Sequence, residues 1–277
     1  MTPISDLIDL TAALVTALLA HVVIQTPRSC APGIKPVLYW VGNKHLSRPQ
    51  NSFSSQRRPL NTLLSWITNL FPVNILVQDV DGLISAAEQT LATVLGIDTT
   101  EDLSSNCATV TIIFARGTTE AGNVGALVGP PFFDAVQAQL PTASTLAIQG
   151  VDYPASVPGF LEGGDPAGSQ QMAADVTQAL SACPSTKLVM SGYSQGGQIV
   201  HNAAKLLPAA TMAKVSSVVI FGDPDYPTPV VNVPASQQLV ICHAGDNICQ
   251  AGDLILLPHL TYAIDADQAA AFVVAQL

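Results

Sequence analysis

From about residue 105 onward, continuous apolar runs alternate with stretches whose apolar residues recur at helical spacing. Thr109–Ala115 (TVTIIFA) is a β-branched apolar run and predicts a strand. Pro131–Leu140 predicts a helix with proline near its start, where the missing N–H has no partner to lose. Ser144–Gln149 predicts a second, short strand. Gly168–Cys183 predicts a helix with Met172, Val176 and Leu180 on one face. Lys187–Ser191 predicts a third strand, and Gln195–Leu207 a helix ended by Pro208. Val215–Phe221 and Gln238–Cys242 predict the fourth and fifth strands, and Ala263–Gln276 a closing helix. Strands that are apolar on both faces and separated by helices require a parallel sheet covered on both sides, joined by right-handed crossovers. The predicted fold is a three-layer α/β/α domain with a five-stranded parallel sheet.

The first part of the chain lacks this alternation. Leu10–Ile24 is an apolar run of signal-peptide length, too short and interrupted for a membrane span. Asp6 and Asp9 stand where a signal peptide carries basic residues, so an ordinary buried or amphipathic helix is the competing reading. Six of the ten basic residues lie between Arg28 and Arg58, with no acid among them, and Ser47–Ser55 is polar without apolar periodicity. Leu76–Ile97 has Val77, Val80, Leu83, Ile84 and Leu91 at roughly helical spacing. Residues 1–104 are therefore read as an appendage and 105–277 as the catalytic-type domain. No internal repeat is visible.

Composition narrows the function. Hydrophobic residues make up 48% and charged residues 11%, against a usual charged share of about 25%. That excludes a mainly disordered chain. The net charge of −10 excludes a phosphate-tracking surface, because nucleic-acid affinity rests on clustered Lys and Arg. Of the five cysteines, no two form a CxxC pair, and the histidines do not sit at zinc-finger spacing, so no metal site is expected. In an exported protein disulfides are the better reading. Cys242–Cys249 would close a short loop and Cys107–Cys183 a long one, leaving Cys30 over.

The most specific signal is Gly192-Tyr193-Ser194-Gln195-Gly196, between the third predicted strand and its helix. A G-x-S-x-G turn in that setting lifts the serine hydroxyl above the sheet, and the flanking small residues let strand and helix approach. Such a serine needs a base. His259, in the loop before the last helix, fits the chain order nucleophile, acid, base; His243 is the alternative, and His201 reads as a core histidine two helical turns past Ser194. The candidate acids are Asp223, Asp225, Asp246 and Asp253. Asp246 is preferred because the bridge proposed above would hold its loop in place. The oxyanion then needs backbone donors: Gln195 after the nucleophile, and Thr118 in the loop after the first strand. Those two loops meet at the sheet's switch point if the first and third strands are neighbours.

Taken together, FARGTTEAGNVG after Cys107, SGYSQGG after Cys183 and CHAGDNIC…LPHLTY from Cys242 resemble the cutinase family of serine esterases over residues 105–277. The resemblance implies a compact α/β-hydrolase with no lid over the serine. It also implies a Ser194–Asp246–His259 triad, an oxyanion hole from Thr118 and Gln195, and disulfides Cys107–Cys183 and Cys242–Cys249. Ile255 and Leu260 match positions that line the family's acyl groove. Family members are secreted and hydrolyse cutin, a plant polyester, so the expected partner is an ester or polyester. No cofactor, no nucleic acid and no stable membrane insertion are expected, and a monomer is. The competing functions are an acetylxylan esterase, which shares fold and triad, and a non-catalytic secreted scaffold. Apolar Ile255, Leu256, Leu257 and Leu260 favour an aliphatic acyl chain over a sugar backbone, and the intact Ser, Asp and His speak against the scaffold.

Overall fold

The computed structural model describes residues 75–77, 99–103 and 107–277. The expected signal segment, Cys30 and both tryptophans lie outside the described residues. A two-residue strand, β1 (Ile75–Leu76), is followed by β2 (Val110–Ala115), helix α1 (Gly129–Gln139) and β3 (Leu146–Gly150). Then come α2 (Val157–Leu161), α3 (Pro166–Ala182), β4 (Lys187–Tyr193), α4 (Gln195–Leu206), α5 (Ala209–Met212) and β5 (Val215–Phe221). The chain closes with β6 (Gln238–Ile241), β7 (Leu254–Ile255), two 3₁₀ turns (Leu257–Leu260 and Tyr262–Asp265) and α6 (Ala266–Ala275).

Five strands form one sheet in the order β3-β2-β4-β5-β6, and every neighbouring pair is parallel. Alternate residues of each strand enter opposite cores, as a two-residue period dictates. From β2, Val110, Ile112 and Phe114 join Phe132 and Val136 of α1 and Val273 of α6. Ile113 and Ala115 turn the other way, toward Met172 and Val176 of α3 and Ile199 and Ala203 of α4. Each fully buried side chain of this size contributes about 1.5–3 kcal/mol. Both faces are therefore apolar, which is why the strands read as unbroken runs. The Phe114 and Phe133 rings meet edge to face at 5.2 Å, a geometry that suits their quadrupoles.

Helix starts follow local chemistry. Asp165 caps α3 by accepting from the Gly168 N–H at 2.8 Å, with Pro166 at the first helical position. Ser156 caps α2, accepting from Gly159 at 3.2 Å. The closing helix begins three residues later than the pattern predicts, because Tyr262–Asp265 winds as a 3₁₀ turn. The short helix α2 carries Pro158 and Gly159, which hide any periodicity, so the pattern of the chain does not predict it.

Two pieces of the N-terminal region lie against the domain. β1 pairs antiparallel with β7, Ile75 opposite Ile255, and the Val77 N–H donates to the Asp253 carbonyl at 2.8 Å. Leu76 is thus in a strand, not at the start of a helix; residues 78–97 of that expected helix lie outside the described residues. Thr100, Glu101 and Asp102 bond along β3, the outer strand: Asp102 N–H to the Ile148 carbonyl at 3.0 Å and Gly150 N–H to the Thr100 carbonyl at 2.9 Å. They cover an edge that would otherwise expose unpaired backbone.

Both expected disulfides form. Cys107–Cys183 ties the approach to β2 to the end of α3, at the end of the sheet away from Ser194, and Cys242–Cys249 closes the loop after β6. Among the described residues no helix is long and apolar enough to cross a membrane.

Candidate active site

The site is built where β4, β5 and β6 end. β2 and β4 are neighbours with β3 outside β2, so the loops leaving β2 and β4 diverge at a switch point. Ser194 follows β4 directly and is the N-cap of α4, with φ 55° and ψ −121°. This left-handed conformation is uncommon for a residue with a Cβ. Backbone crowding imposes it. A Cβ on Gly192 would come within 2.2 Å of the Gly196 carbonyl oxygen, and one on Gly196 within 2.0 Å of the Ala115 carbonyl oxygen. Only glycine lets the turn close against β2. The Ser194 N–H donates to the Phe221 carbonyl at 3.0 Å, which fixes the turn to β5.

His259 lies in the Leu257–Leu260 turn, 1% exposed. Its Nε2 is 3.0 Å from Ser194 Oγ and its Nδ1 is 2.8 Å from Asp246 Oδ2. A carboxylate only accepts, so Nδ1 carries the proton and Nε2 is free to accept from the serine. Asp246 is fully buried. Its Oδ2 also accepts from the Tyr262 hydroxyl at 2.5 Å, and its Oδ1 from the Ile248 N–H at 3.0 Å. Burial works against its charge. The hydrogen bond and charge of His259, the Tyr262 hydroxyl and the Ile248 N–H outweigh burial and hold the carboxyl below its ordinary value. Burial, and then the Asp246 carboxylate, push the Tyr262 phenol upward, so it remains a donor.

The rival candidates sit elsewhere. Asp223 is spent on His201, whose Nε2 is 3.0 Å from its Oδ2, and both are buried. Asp253 is exposed. His243 bonds to Asp265 at 2.6 Å and to the Pro258 carbonyl at 2.8 Å.

Thr118 and Gln195 come together across the switch point. The Gln195 side-chain amide, fully buried, donates to Thr118 Oγ1 at 3.0 Å and to the Ser156 carbonyl at 2.8 Å. Gln195 is also the first residue of α4, where backbone N–H groups and the helix dipole favour negative charge. A buried carboxylate braces the Thr118 loop: Glu120 accepts from the N–H groups of Gly117 at 2.7 Å, Ala126 at 3.1 Å and Leu127 at 3.0 Å.

A family model described as cutinase matches residues 106–277. The chain belongs to the cutinase family. A cutinase of Botryotinia fuckeliana is 66% identical over 167 residues, which is 60% of this chain and 82% of the relative. A cutinase of Pyrenopeziza brassicae is 56% identical, covering 68% of this chain and 92% of its own length. The structure of the Trichoderma reesei cutinase with a phosphonate inhibitor superposes with a TM-score of 0.67 at 51% identity, over 79% of this chain and 98% of that one. An acetyl xylan esterase structure has a TM-score of 0.50 at 24% identity, over 62% of this chain and 99% of that one. That likeness shows the fold alone.

The remaining residues named by resemblance to the cutinases are Ile255 and Leu260. Both are buried in the core cluster that also holds Val77, Ile248 and Tyr262. Several groups around the site were not found by sequence reasoning. Tyr193, inside the elbow motif, stacks on His259 with ring centres 5.2 Å apart and donates its hydroxyl to the His259 carbonyl at 2.9 Å. Glu120 and Tyr262 stood inside the quoted motifs, but a role for either depends on long-range contacts that spacing does not reveal.

Proposed function

We propose that the protein hydrolyses carboxylic esters through an acyl-enzyme on Ser194, with the plant polyester cutin as its substrate class. The observation that carries this reading is the buried, hydrogen-bonded series Ser194–His259–Asp246 on a strand-to-helix turn. Ser194 attacks the ester carbonyl while His259 Nε2 takes its proton. Asp246 holds the required tautomer and stabilises the imidazolium that forms. The charge on the tetrahedral oxygen falls to the backbone N–H groups of Thr118 and Gln195, with the Thr118 hydroxyl oriented by the Gln195 amide. His259 then protonates the departing alcohol, and water repeats the cycle on the acyl-enzyme. The apolar run around the base, Ile255, Leu256, Leu257 and Leu260, suits an aliphatic acyl chain, with Ile255 and Leu260 themselves packed into the core beneath it. Export fits the two disulfides, which persist in oxidising compartments. We take the working unit to be a monomer and the esterase domain to begin near residue 105.

The test pairs labelling with a substrate choice. An alkyl phosphonate p-nitrophenyl ester should release one equivalent of p-nitrophenol and leave its mass on the peptide carrying Ser194. The enzyme should release aliphatic hydroxy acids from cutin and hydrolyse p-nitrophenyl butyrate in preference to acetylated xylan. Preference for the xylan would favour the acetylxylan reading. Absence of labelling would support the non-catalytic scaffold.

A further inference from the structure

His243 does not face Ser194, yet it reaches both of the groups that Ser194 depends on, each through one intermediate group. It follows β6 directly and lies with its ring stacked on Tyr262, centres 4.2 Å apart. Its backbone N–H donates to the Tyr262 hydroxyl at 3.0 Å, and that hydroxyl donates to Asp246. Its ring reaches the other way. Nδ1 is 2.8 Å from the Pro258 carbonyl oxygen, which belongs to the peptide leading into His259, and Nε2 is 2.6 Å from Asp265 Oδ2. Thr261 Oγ1 lies 3.1 Å from the same Nδ1 and 3.0 Å from the same carbonyl.

Resting on the triad reading above, we propose that His243 is a positioning residue for the esterase reaction: its doubly protonated ring, held by Asp265, anchors the Pro258 carbonyl and thereby sets His259 against Ser194 and Asp246. A carbonyl and a carboxylate both only accept, so satisfying the two together takes a proton on each ring nitrogen. In that state the Thr261 hydroxyl also donates to Pro258, and the peptide before His259 is held by two side-chain donors beside the longer Thr261 N–H contact at 3.5 Å. When the ring loses a proton, Asp265 keeps Nε2–H. Nδ1 becomes an acceptor facing a carbonyl oxygen, which repels. The Thr261 hydroxyl is within reach of both and turns to Nδ1. Pro258 then keeps only the long Thr261 N–H contact at 3.5 Å, and the peptide leading into His259 is held more loosely, with the His259 N–H still on Leu256 and its carbonyl still on Tyr193. The titratable groups around the ring are Asp265 directly, Tyr262 by stacking, Asp246 through the Tyr262 hydroxyl, and His259 through the Pro258 peptide.

The experiment compares wild type with His243→Phe, which keeps a ring over Tyr262 but removes both nitrogens, and with Asp265→Asn. Turnover and KM for p-nitrophenyl butyrate are measured across pH, with phosphonate labelling to count competent sites. At the acidic end of the active range His243→Phe should lower kcat about tenfold with KM little changed, the size expected of a slightly misplaced base. The gap should close as pH rises, because wild type then loses the same anchor. Asp265→Asn should show a smaller gap that closes over the same range, and it decides the matter alone if His243→Phe does not fold. A gap that stays constant with pH, or no gap in either variant, would overturn the proposal. Failure of wild type to label at Ser194 would instead remove the triad reading beneath it.

Discussion

Ser194 is held by backbone, whereas Asp246 and His259 are held by side chains. The proposed nucleophile sits on a turn that β2, β5 and two glycines leave no room to change. The proposed acid and base sit in residues 242–262, where regular structure is limited to a two-residue strand and short 3₁₀ turns. Order there comes from the Cys242–Cys249 bridge, the Tyr262 hydroxyl, the His243–Asp265 pair and the Tyr193 stack. The Cys249 sulfur lies 3.6 Å from both Asp246 Oδ2 and the Tyr262 hydroxyl, so bridge and acid are in contact. The nucleophile should therefore tolerate anything that leaves the sheet folded. The acid and base should respond to protonation and redox state while the fold persists.

The sharpest break in this comparison is Asp246→Asn. The variant should fold, keep Ser194 in place and lose roughly 10⁴-fold in turnover, the cost of leaving the base in the wrong tautomer. Its effect on stability should depend on pH in one direction. Because the folded carboxyl titrates below its unfolded value of about 3.9, its contribution is complete above that value and disappears as pH falls through the lower, folded one. Thermal melts of the two proteins should differ by a constant amount near neutrality and converge in acid. A gap that widens in acid would mean the charge is not favoured in the fold.

Cys242→Ser comes next. The bridge spans a sequence separation of 7, so its effect through the unfolded chain is at the low end, about 2 kcal/mol. Turnover should fall about tenfold, because Asp246 and Tyr262 lose their shared support. The melting temperature should drop by a few degrees. Equal turnover would show that the hydrogen bonds alone order the loop.

The smallest effect is expected from truncation. A chain starting at residue 57 keeps both N-terminal contacts, since it retains Ile75–Val77 and Thr100–Asp102; one starting at 105 loses them. The shorter form should fold and hydrolyse p-nitrophenyl butyrate within about threefold of the longer one. Losing the burial of Val77 and a few edge hydrogen bonds should lower its stability by about 2–4 kcal/mol. If it fails to fold, the domain begins ahead of Ile75.

What the sequence revealed, and what it hid, follows the same division. The central strands were legible because each is buried on both faces; Val215–Phe221 was read to the residue. The elbow was legible because its glycines and serine are adjacent in the chain and bounded by a strand and a helix. The pairing of β1 with β7 was not legible, since two residues carry no period and the partners are far apart in sequence. Asp246 and Asp223 could not be separated decisively by spacing alone. What favours Asp246 is that Asp223 is already bonded to His201, a contact between a helix and the loop after a different strand. Glu120 and Tyr262 were invisible for the same reason: their partners are set by the packing of loops, which leaves no periodic trace.

The most direct test of the central claim is whether Ser194 and His259 act as one unit. Turnover of p-nitrophenyl butyrate is measured for Ser194→Ala, His259→Ala and the double variant, with circular dichroism to verify that each is folded. Each single change should cost on the order of 10⁴-fold or more, and the double should cost no more than the worse single, because removing either member disables the same step. Losses that multiply in the double variant, or a folded Ser194→Ala that keeps near wild-type turnover, would contradict the account.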